Sequence, residues 1–475
     1  MASVSARALV HLLHGWRDST TGPAYAALAD RIRLLVLDGR VSLGTRLPAE
    51  RELAEVLGVS RTTVTTAYGE LRESGYITST RGSGSVARLP GRAPVSIESQ
   101  QTGYLDFSKA ALPATPWLAD AAVRAAEQLP AYLGDTGFDP IGLPILRQLL
   151  AERYTARGLP TEPDQLMVTI GAQHAIGLIS RTLLARGDRA LVESPSYPHA
   201  YEALRGAGAR LVPASVTAEE GWDELALEQA IQRTSPSLGY LMPDFHNPTG
   251  RSMSAELRER TLGLAARHGT VLIADETMGE LSIDHPHEYL PFTAYDAAKQ
   301  SIIVGSVGKS VWGGVRIGWI RAERTVIQRL VRARSANDLG TPALEQLVVA
   351  ELMQNYDEIL AHRREQLRAG RDHLESALAE AFPEWTVPHV DGGLTVWVNL
   401  GEAVSSQLTL AARSSGLLLA AGPRFGTDGA FERFLRIPFS YSPDETDRAV
   451  AALRVAWASL SGAQLLDSSF LAEVV

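Results

Sequence analysis

The sequence predicts an α/β protein with a small, mainly helical head and a large domain built on a mainly parallel sheet. Three observations support this prediction. Apolar residues recur at helical spacing in the first 88 residues, a Pro/Gly/Ser-rich stretch covers 89–103, and short apolar segments alternate with helical ones from residue 104 onward. The 475 residues exceed one compact unit, and 45% are hydrophobic, enough for a sizeable core. We therefore predict a head at 1–88, a linker at 89–103 and a large domain at 104–475.

The net charge of −9 is unevenly distributed along the chain. Residues 1–88 carry 11 basic and 8 acidic side chains, whereas the remainder carries 34 and 46. A mildly basic head on an acidic body is typical of a DNA-contacting module joined to an effector domain. The chain has no cysteine and no apolar run that could span a bilayer, and its first residues favour a short amphipathic helix over a signal peptide. We expect a cytoplasmic protein, nucleoid-associated when bound to DNA, without a metal site.

The head pattern predicts three helices followed by two short strands. The segment 22–39 begins with Gly-Pro and ends at a glycine, and 48–57 forms a second helix that Gly58 terminates. Ser60 is a good N-cap for a third helix, in which Val59 and Val64 occupy hydrophobic-staple positions. The buried stripe of this third helix consists of Val64, Ala67, Tyr68 and Leu71.

The polar residues at the start of the third helix suggest contact with DNA. Arg61, Thr62 and Thr63 point outward, where the N-terminus of a recognition helix meets phosphates and base edges. The segment "YITSTRGSGSVA" (76–87) predicts two strands around a wing with Arg81 and Gly82 at its tip. From these short patterns alone, a plain helical hairpin remains an alternative to a helix-turn-helix.

The large domain begins after the linker, which is long enough to let the head reach a neighbouring subunit. Five apolar segments predict its parallel strands: 166–170, 189–193, 238–242, 270–275 and 301–306. In such a sheet the ligand binds outside the carboxyl ends of the strands.

Residues that could bind a ligand or take part in catalysis follow these strands. They are Gly171-Ala172-Gln173, Tyr197, Asn247 in "HNPTG", Asp275, and Lys309 in "SVGK". Taken singly, each has an ordinary structural explanation as a cap or a turn. Together they favour one ligand with a phosphate, an aromatic ring, a protonated ring nitrogen and an electrophilic carbon, which describes pyridoxal 5′-phosphate.

Lys309 stands out because the chain contains only three lysines against 42 arginines. A neutral amine can attack an aldehyde, whereas arginine stays protonated. A lysine retained in the glycine-rich segment 305–319 therefore indicates a need for a reactive amine. Codon bias would account for the small number of lysines, but it would not determine where the remaining lysines stand in the chain.

Two family resemblances follow from these motifs. The run "GTRLPAERELAEVLGVSRTTVTTAYGELRESGYI", within residues 22–87, resembles the winged helix-turn-helix of GntR-type regulators. The ordered strand-end motifs resemble fold-type I aminotransferases. With the two combined, the chain over about 22–457 is similar to the MocR subfamily of GntR regulators. This resemblance implies a fold-type I domain with a smaller α+β C-terminal subdomain.

The resemblance also implies residue roles. Lys309 would hold pyridoxal 5′-phosphate as an imine and Asp275 would face the pyridine nitrogen, and both are the catalytic candidates. Asn247 would bind the ring hydroxyl and Tyr197 would stack on the ring. Arg436 in "RFLRIPFSY" would bind an effector carboxylate, although on the pattern alone it could equally be an exposed strand residue. The phosphate would be held by Ala172, Gln173, Ser306 and Arg316, and operator DNA would be bound by Arg46, Arg51, Ser60, Arg61, Thr62, Thr63, Arg81 and Gly82.

Four residues depart from the aminotransferase pattern. Thr277 and Met278 stand where a tyrosine is usual, Gly308 replaces a serine before the lysine, and Phe138 occupies a spot often filled by tyrosine. Loss of these donors should loosen the hold on the cofactor, which argues against efficient transamination.

Three functions remain open. The favoured one is a homodimeric regulator, with possible head-to-tail exchange, that binds double-stranded operator DNA and senses pyridoxal 5′-phosphate or an amino-acid-type effector through the Lys309 link. The second is a working aminotransferase with an autoregulatory DNA-binding head. The third is a regulator whose large domain dimerises and binds a metabolite without covalent chemistry.

Overall fold

The structure is a computed structural model, and it describes residues 3–13, 16–17, 23–38, 40–42, 44–80, 84–88, 104–285 and 289–465. Within these ranges it contains a helical head, a large domain with a mostly parallel sheet and a smaller α+β subdomain near the C-terminal end. The predicted fold class is confirmed. None of the helices in these ranges has both the length and the apolar character needed to cross a membrane.

Among its described residues, the head has four helices and a two-stranded antiparallel sheet. The predicted stripe of Val64, Ala67, Tyr68 and Leu71 is buried and packs against the other head helices. In chain order the elements are α1 (Ala6–Leu12), α2 (Ala24–Leu37), α3 (Glu50–Leu57), α4 (Arg61–Glu73), β1 (Ile77–Thr80) and β2 (Gly84–Ala87).

A tight turn joins α3 to α4. Gly58 ends α3 with a φ of +68°, a left-handed conformation that favours glycine. Ser60 then caps α4, because its Oγ accepts a hydrogen bond of 3.1 Å from the Thr63 amide. The arrangement is a helix-turn-helix with a following strand pair, as predicted. Arg81 and Gly82 lie outside the described residues.

The large domain is organised around an eight-stranded sheet in the order β4-β11-β10-β9-β8-β5-β6-β7. Strands β10, β9, β8, β5 and β6 run parallel, and β11 lies antiparallel between β10 and β4. All five predicted strands are present, and β6, β7 and β11 were not predicted. The strands are β3 (Leu105–Asp106), outside this sheet, then β4 (Leu166–Thr169), β5 (Arg189–Ser194), β6 (Arg210–Thr217), β7 (Gly221–Trp222), β8 (Leu238–Leu241), β9 (Val271–Asp275), β10 (Ile302–Ser306) and β11 (Gly318–Arg321).

Helices cover both faces of this sheet. Successive strand residues point to opposite faces, so that Ile303 packs into one hydrophobic cluster and Val304 into another. The helices are α5 (Leu118–Gln128), α6 (Pro144–Ala156), α7 (Ala172–Leu183), α8 (Pro198–Gly206), α9 (Glu224–Thr234), α10 (Ala255–Arg267), α11 (Arg324–Arg334) and α12 (Ala343–Met353).

The long helix α13 (Tyr356–Ala381) leads into the smaller subdomain. Its three-stranded antiparallel sheet has the order β12-β15-β14, and β13 pairs in parallel with β3. The remaining elements are β12 (Thr395–Asn399), α14 (Ser405–Ser414), β13 (Leu417–Leu418), β14 (Ala420–Ala421), a 3₁₀ turn at Gly422–Phe425, β15 (Phe434–Pro438) and α15 (Pro443–Leu465).

The head contacts the smaller subdomain of the same chain. Asp38, directly after α2, accepts a 2.7 Å hydrogen bond from the Oγ of Ser406 on α14. Arg31 of α2 also forms a 3.5 Å ion pair with Glu432. The head and the C-terminal subdomain therefore pack against each other through α2 and α14.

Candidate cofactor and effector site

Lys309 follows β10 and extends into a cavity at the carboxyl end of the sheet. Its Nζ donates a hydrogen bond of 2.5 Å to the carbonyl oxygen of Ala110. Burial, aided by the positive charge of Arg436, lowers the pKa of Lys309 to about 8. The side chain is therefore a partly neutral amine near neutral pH, the form that reacts with an aldehyde.

Asp275 ends the adjacent strand β9 and is buried. Its Oδ2 accepts a hydrogen bond of 2.6 Å from the hydroxyl of Tyr240, and its Oδ1 accepts one of 3.0 Å from the amide of Thr277. Burial raises the pKa of Asp275, while these donors and the Lys309 charge act in the opposite direction. A buried carboxylate in this setting favours a positively charged partner.

Asn247 and Tyr197 line the same cavity. The Oδ1 atom of Asn247 is buried and, among the described residues, has no hydrogen-bond partner. Such an atom is costly unless a ligand satisfies it. Tyr197 precedes α8, and burial, reinforced by the charge of Asp275, raises the pKa of its phenol to about 12. The ring therefore stays neutral across the physiological range.

The predicted phosphate-binding residues lie at the neighbouring strand ends. Ala172 is the first residue of α7, after Gly171 at a φ of +77°, so free amides are available there. A Cβ on Gly171 would come within 2.9 Å of the Arg316 guanidinium, so glycine permits this close approach. Gln173 donates to the His199 carbonyl (3.1 Å), and the Oγ of Ser306 donates to the Ile317 carbonyl (2.9 Å).

Arg436 lies on β15 and is only 6% exposed, so its side chain is not the exposed strand residue that the pattern allowed. One guanidinium nitrogen donates to the Ser108 carbonyl, and the group sits 5.0 Å over the Phe425 ring. Its Nε is buried without a partner among the described residues. Burial lowers its pKa to about 10. A buried, incompletely paired guanidinium matches an anionic ligand group.

The cavity brings four of the predicted residues together: Lys309, Asn247, Tyr197 and Arg436. Its volume is about 590 Å³. None of the phosphate candidates lines the cavity, but Gln173 donates a hydrogen bond to the carbonyl of His199, which does line it. An amine with a lowered pKa, a buried acceptor, a buried carboxylate and an adjacent helix N-terminus fit the functional groups of pyridoxal 5′-phosphate.

The residues of the head that are predicted to contact DNA differ in whether their side chains already take part in hydrogen bonds of the helix. Arg46, Arg51, Arg61 and Thr62 are exposed. The hydroxyls of Ser60 and Thr63 are 2.8 Å apart and bonded to each other, and Ser60 also caps α4. These four side chains can reach a phosphate or a base. The hydroxyls of Ser60, which is exposed as well, and of Thr63 already take part in the structure of the helix.

Comparison with known proteins places the large domain in a family. The sequence signature of the family described as aminotransferase class I and II matches residues 116–453, well over half of the chain. The chain belongs to this family. The signature of bacterial regulatory proteins of the gntR family matches residues 24–86. A GntR head on an aminotransferase domain is the MocR architecture, so the predicted resemblance is confirmed.

Relatives of this aminotransferase-family chain include regulators and enzymes. The uncharacterised HTH-type transcriptional regulator YdfD of Bacillus subtilis is 27% identical over 88% of this chain and 93% of its own. The 2-aminoadipate transaminase of Thermus thermophilus is 31% identical over 72% of this chain and 87% of its own. A similar solved structure is that of Thermus thermophilus LysN, an α-aminoadipate aminotransferase complexed with N-(5'-phosphopyridoxyl)-L-leucine. It superposes with a TM-score of 0.69 and 29% sequence identity, over 77% of this chain and 94% of the LysN chain.

The departures from the aminotransferase pattern can be located in the structure. Thr277 and Met278 lack the phenol of the tyrosine that is usual here. The amide of Thr277 donates a hydrogen bond to Asp275, and Met278 is buried in the core. The amide of Gly308 donates to the Oγ of Ser306 at 3.0 Å. Phe138 is 69% exposed.

Several residues of the site gave no signal in the sequence. Tyr240 is one more aromatic residue in an apolar strand, yet it is the side chain that bonds Asp275. Ala110 and Ser108 contribute carbonyl groups, which any residue could supply. Arg413 and Arg424 also line the cavity but stand in segments with no recognisable motif.

Proposed function

We propose that this protein is a DNA-binding transcriptional regulator whose aminotransferase-like domain binds pyridoxal 5′-phosphate and responds to it or to an amino-acid-type effector. One observation carries the proposal: an amine with a lowered pKa, Lys309, shares a cavity with unpaired buried groups of Asn247 and Arg436 in a chain with a GntR head. The similarity to HTH-type regulators over most of the chain supports the regulatory half.

The chain's own residues have distinct parts in this proposal. When bound, pyridoxal 5′-phosphate supplies an aldehyde and an electron-accepting ring. Lys309 provides the amine for the covalent link, and Asp275 holds a proton at the ring nitrogen. Arg436 orients a carboxylate group of the effector. Arg316, Ser306, Ala172 and Gln173 hold the phosphate.

The DNA-binding half of the proposal rests on the exposed start of α4 and on the predicted wing. Arg46, Arg51, Arg61 and Thr62 would contact the operator, with Ser60, Thr63, Arg81 and Gly82 completing the predicted set. A homodimer would present two such heads, which suits two half-sites on duplex DNA. Arginine contacts to phosphate should make binding fall as salt rises.

The test uses the scarcity of lysine. The full chain is incubated with pyridoxal 5′-phosphate, reduced with borohydride and digested, and the modified lysine is identified by mass spectrometry. We expect modification at Lys309 in the wild type and in Lys299→Ala, an exposed control, and none in Lys309→Ala. Reversible binding without trapping would instead favour the non-covalent metabolite sensor.

The regulatory step is tested with DNA. Anisotropy of a labelled fragment from upstream of the protein's own gene is measured with and without pyridoxal 5′-phosphate. We expect the cofactor to change the dissociation constant of the wild type and of Lys299→Ala but not of Lys309→Ala. Equal responses of Lys309→Ala and the wild type would refute sensing through this lysine.

A working aminotransferase is the second candidate. It is favoured by the combination of Asp275, Lys309 and Arg436 and by 31% identity to a 2-aminoadipate transaminase. The absence of a phenol at Thr277 and Met278 counts against it. Multiple turnovers with an amino-acid donor and a keto-acid acceptor would favour this candidate over the regulator.

A further inference from the structure

We propose that Arg413 and Arg424 form a second anion-binding subsite in the cavity and that the effector is an amino acid with a second anionic group. The inference rests on the proposed function, because the first anionic group is the carboxylate assigned to Arg436. It adds the chemical class of the effector, namely dicarboxylic, phosphono or sulfo amino acids.

The cavity extends well beyond the cofactor-binding residues. Besides Lys309, Asn247 and Arg436, it is lined by Arg413 on α14 and by Arg424 on the 3₁₀ turn before β15. Its volume of about 590 Å³ falls within the range of roughly 300–1,000 Å³ typical of ligand pockets. This volume leaves space for the side chain of an effector whose α-carboxylate is bound at Arg436.

The two outer arginines are available to a ligand. Both are half-buried, and within the described part of the chain neither forms an ion pair or a side-chain hydrogen bond. Nearby arginines behave differently, since Arg205 donates to the Thr427 carbonyl and Arg433 to the Gly401 carbonyl. Neither arginine has a guanidinium nitrogen that is both buried and unpaired, so these groups remain accessible to an anion that enters the cavity.

The positive charge of the cavity lining is large enough to favour a ligand with more than one anionic group. Its lining includes Lys309, Arg413, Arg424 and Arg436 with Asp38 as the acidic member, while Lys109 is already paired with Asp106 at 2.8 Å. The positive charge of Arg424 contributes to the lowered pKa of Arg436. One carboxylate at Arg436 would leave this repulsion only partly compensated.

The cofactor phosphate does not account for this excess charge. The residues expected to hold the phosphate are Ala172, Gln173, Ser306 and Arg316, and none of them lines this cavity. The positive charges of Arg413 and Arg424 therefore have no anion assigned to them. Asp38 of the head also lines the cavity, so an anion bound there would disfavour the charged form of this carboxyl group.

The test measures charge preference in the full-length, cofactor-loaded protein by isothermal titration calorimetry. Three acids are compared with uncharged counterparts: L-aspartate with L-asparagine, L-glutamate with L-glutamine, and L-2-aminoadipate with L-norleucine. We expect at least one acid to bind about tenfold more tightly than its counterpart, as for a gained charge-assisted hydrogen bond. In the double variant Arg413→Gln/Arg424→Gln this ratio should fall close to one.

A matched control is Arg454→Gln, which removes an exposed arginine of α15 that does not line the cavity. It should keep the wild-type ratio. No preference for any acid in the wild type, or a preference that survives in the double variant, would overturn the subsite. Borohydride trapping of pyridoxal 5′-phosphate on Lys309 separates this proposal from the proposed function. If the cofactor is trapped but no acidic amino acid binds preferentially, only the subsite is overturned. If the cofactor is not trapped, both proposals are overturned.

Discussion

At the scale of single residues, the most informative contact is the hydrogen bond from Tyr240 to Asp275. Both groups are buried, and the 2.6 Å bond is donated to a carboxylate whose pKa burial raises. A donor of this kind stabilises the charged form of the acid. Tyr240 therefore offsets part of the cost of keeping Asp275 ionised and in place.

Tyr240→Phe should lower stability in a pH-dependent way. Without the hydroxyl, the folded-state pKa of Asp275 rises further, so the charged form costs more at pH values above it. We expect the free energy of unfolding of the cofactor-free protein to fall by about 1.5–3 kcal/mol at pH 8, and by less as the pH is lowered and the acid is protonated. Urea denaturation at pH 8 and pH 5 measures both values.

Tyr201→Phe is the matched control for this variant. Its hydroxyl is also buried but donates to the backbone carbonyls of Glu193 and Phe425, which do not titrate. Its loss of stability should be the same at both pH values. A pH-independent loss for Tyr240→Phe would mean that the bond does not act on the ionisation of Asp275.

At the scale of elements, the contact between α2 and α14 joins the head to the C-terminal subdomain. The Oγ of Ser406 lies 2.7 Å from Asp38 and 3.0 Å from Glu432. The single proton of this hydroxyl is shared between the two acids, so neither carboxylate receives a full hydrogen bond from it. Burial, strengthened by the neighbouring Glu432 charge, raises the pKa of Asp38 to about 6 despite Ser406, Arg40 and Arg31.

This contact should weaken as the pH rises. The pKa of Asp38 is higher in the contact than its ordinary value of 3.8, so the contact is fully favoured below about pH 4 and loses stability through about pH 6. Two pKa units set an upper limit of about 3 kcal/mol. Hydrogen exchange of peptides covering α14, corrected for intrinsic rates, should show less protection at pH 8 than at pH 5.

Asp38→Asn should remove this pH dependence, because the amide cannot titrate. Asp30→Asn is the control, since Asp30 is an exposed residue of α2 that pairs with Arg33. That variant should retain the wild-type pH profile. Equal protection of α14 at both pH values in the wild type would show that Asp38 does not govern the contact.

At the scale of the whole molecule, the sequence predicted what local patterns determine. Asp275 and Lys309 could be placed together because each follows a buried strand, and the carboxyl ends of parallel strands share one edge. Strand β6 escaped prediction because it contains a proline and is only partly buried. The contact of Asp38 with Ser406 spans 368 positions, and no local pattern encodes such a pairing.

The proposed homodimer needs a surface on which two copies of the chain can pack. Phe138 and Leu339 are 69% and 57% exposed and lie close to each other, whereas a single exposed apolar side chain is common on a protein surface. They lie on adjoining loops, because a Cβ on Gly340 would come within 2.3 Å of the Asp139 carbonyl oxygen. Leu133, 70% exposed, precedes them in the same region of the chain. An apolar patch of this kind is suited to covering by a second copy of the chain.

We therefore expect Phe138→Asp/Leu339→Asp to convert a dimer into monomers, since two buried charges would oppose association. Sedimentation velocity at micromolar concentration measures the change. Leu225→Asp, which alters a 64% exposed leucine on α9, should leave the dimer intact. Because two heads on one dimer bind adjacent half-sites with higher avidity than one, the double variant should also bind operator DNA more weakly. A wild type that sediments as a monomer would show that each head acts alone on DNA.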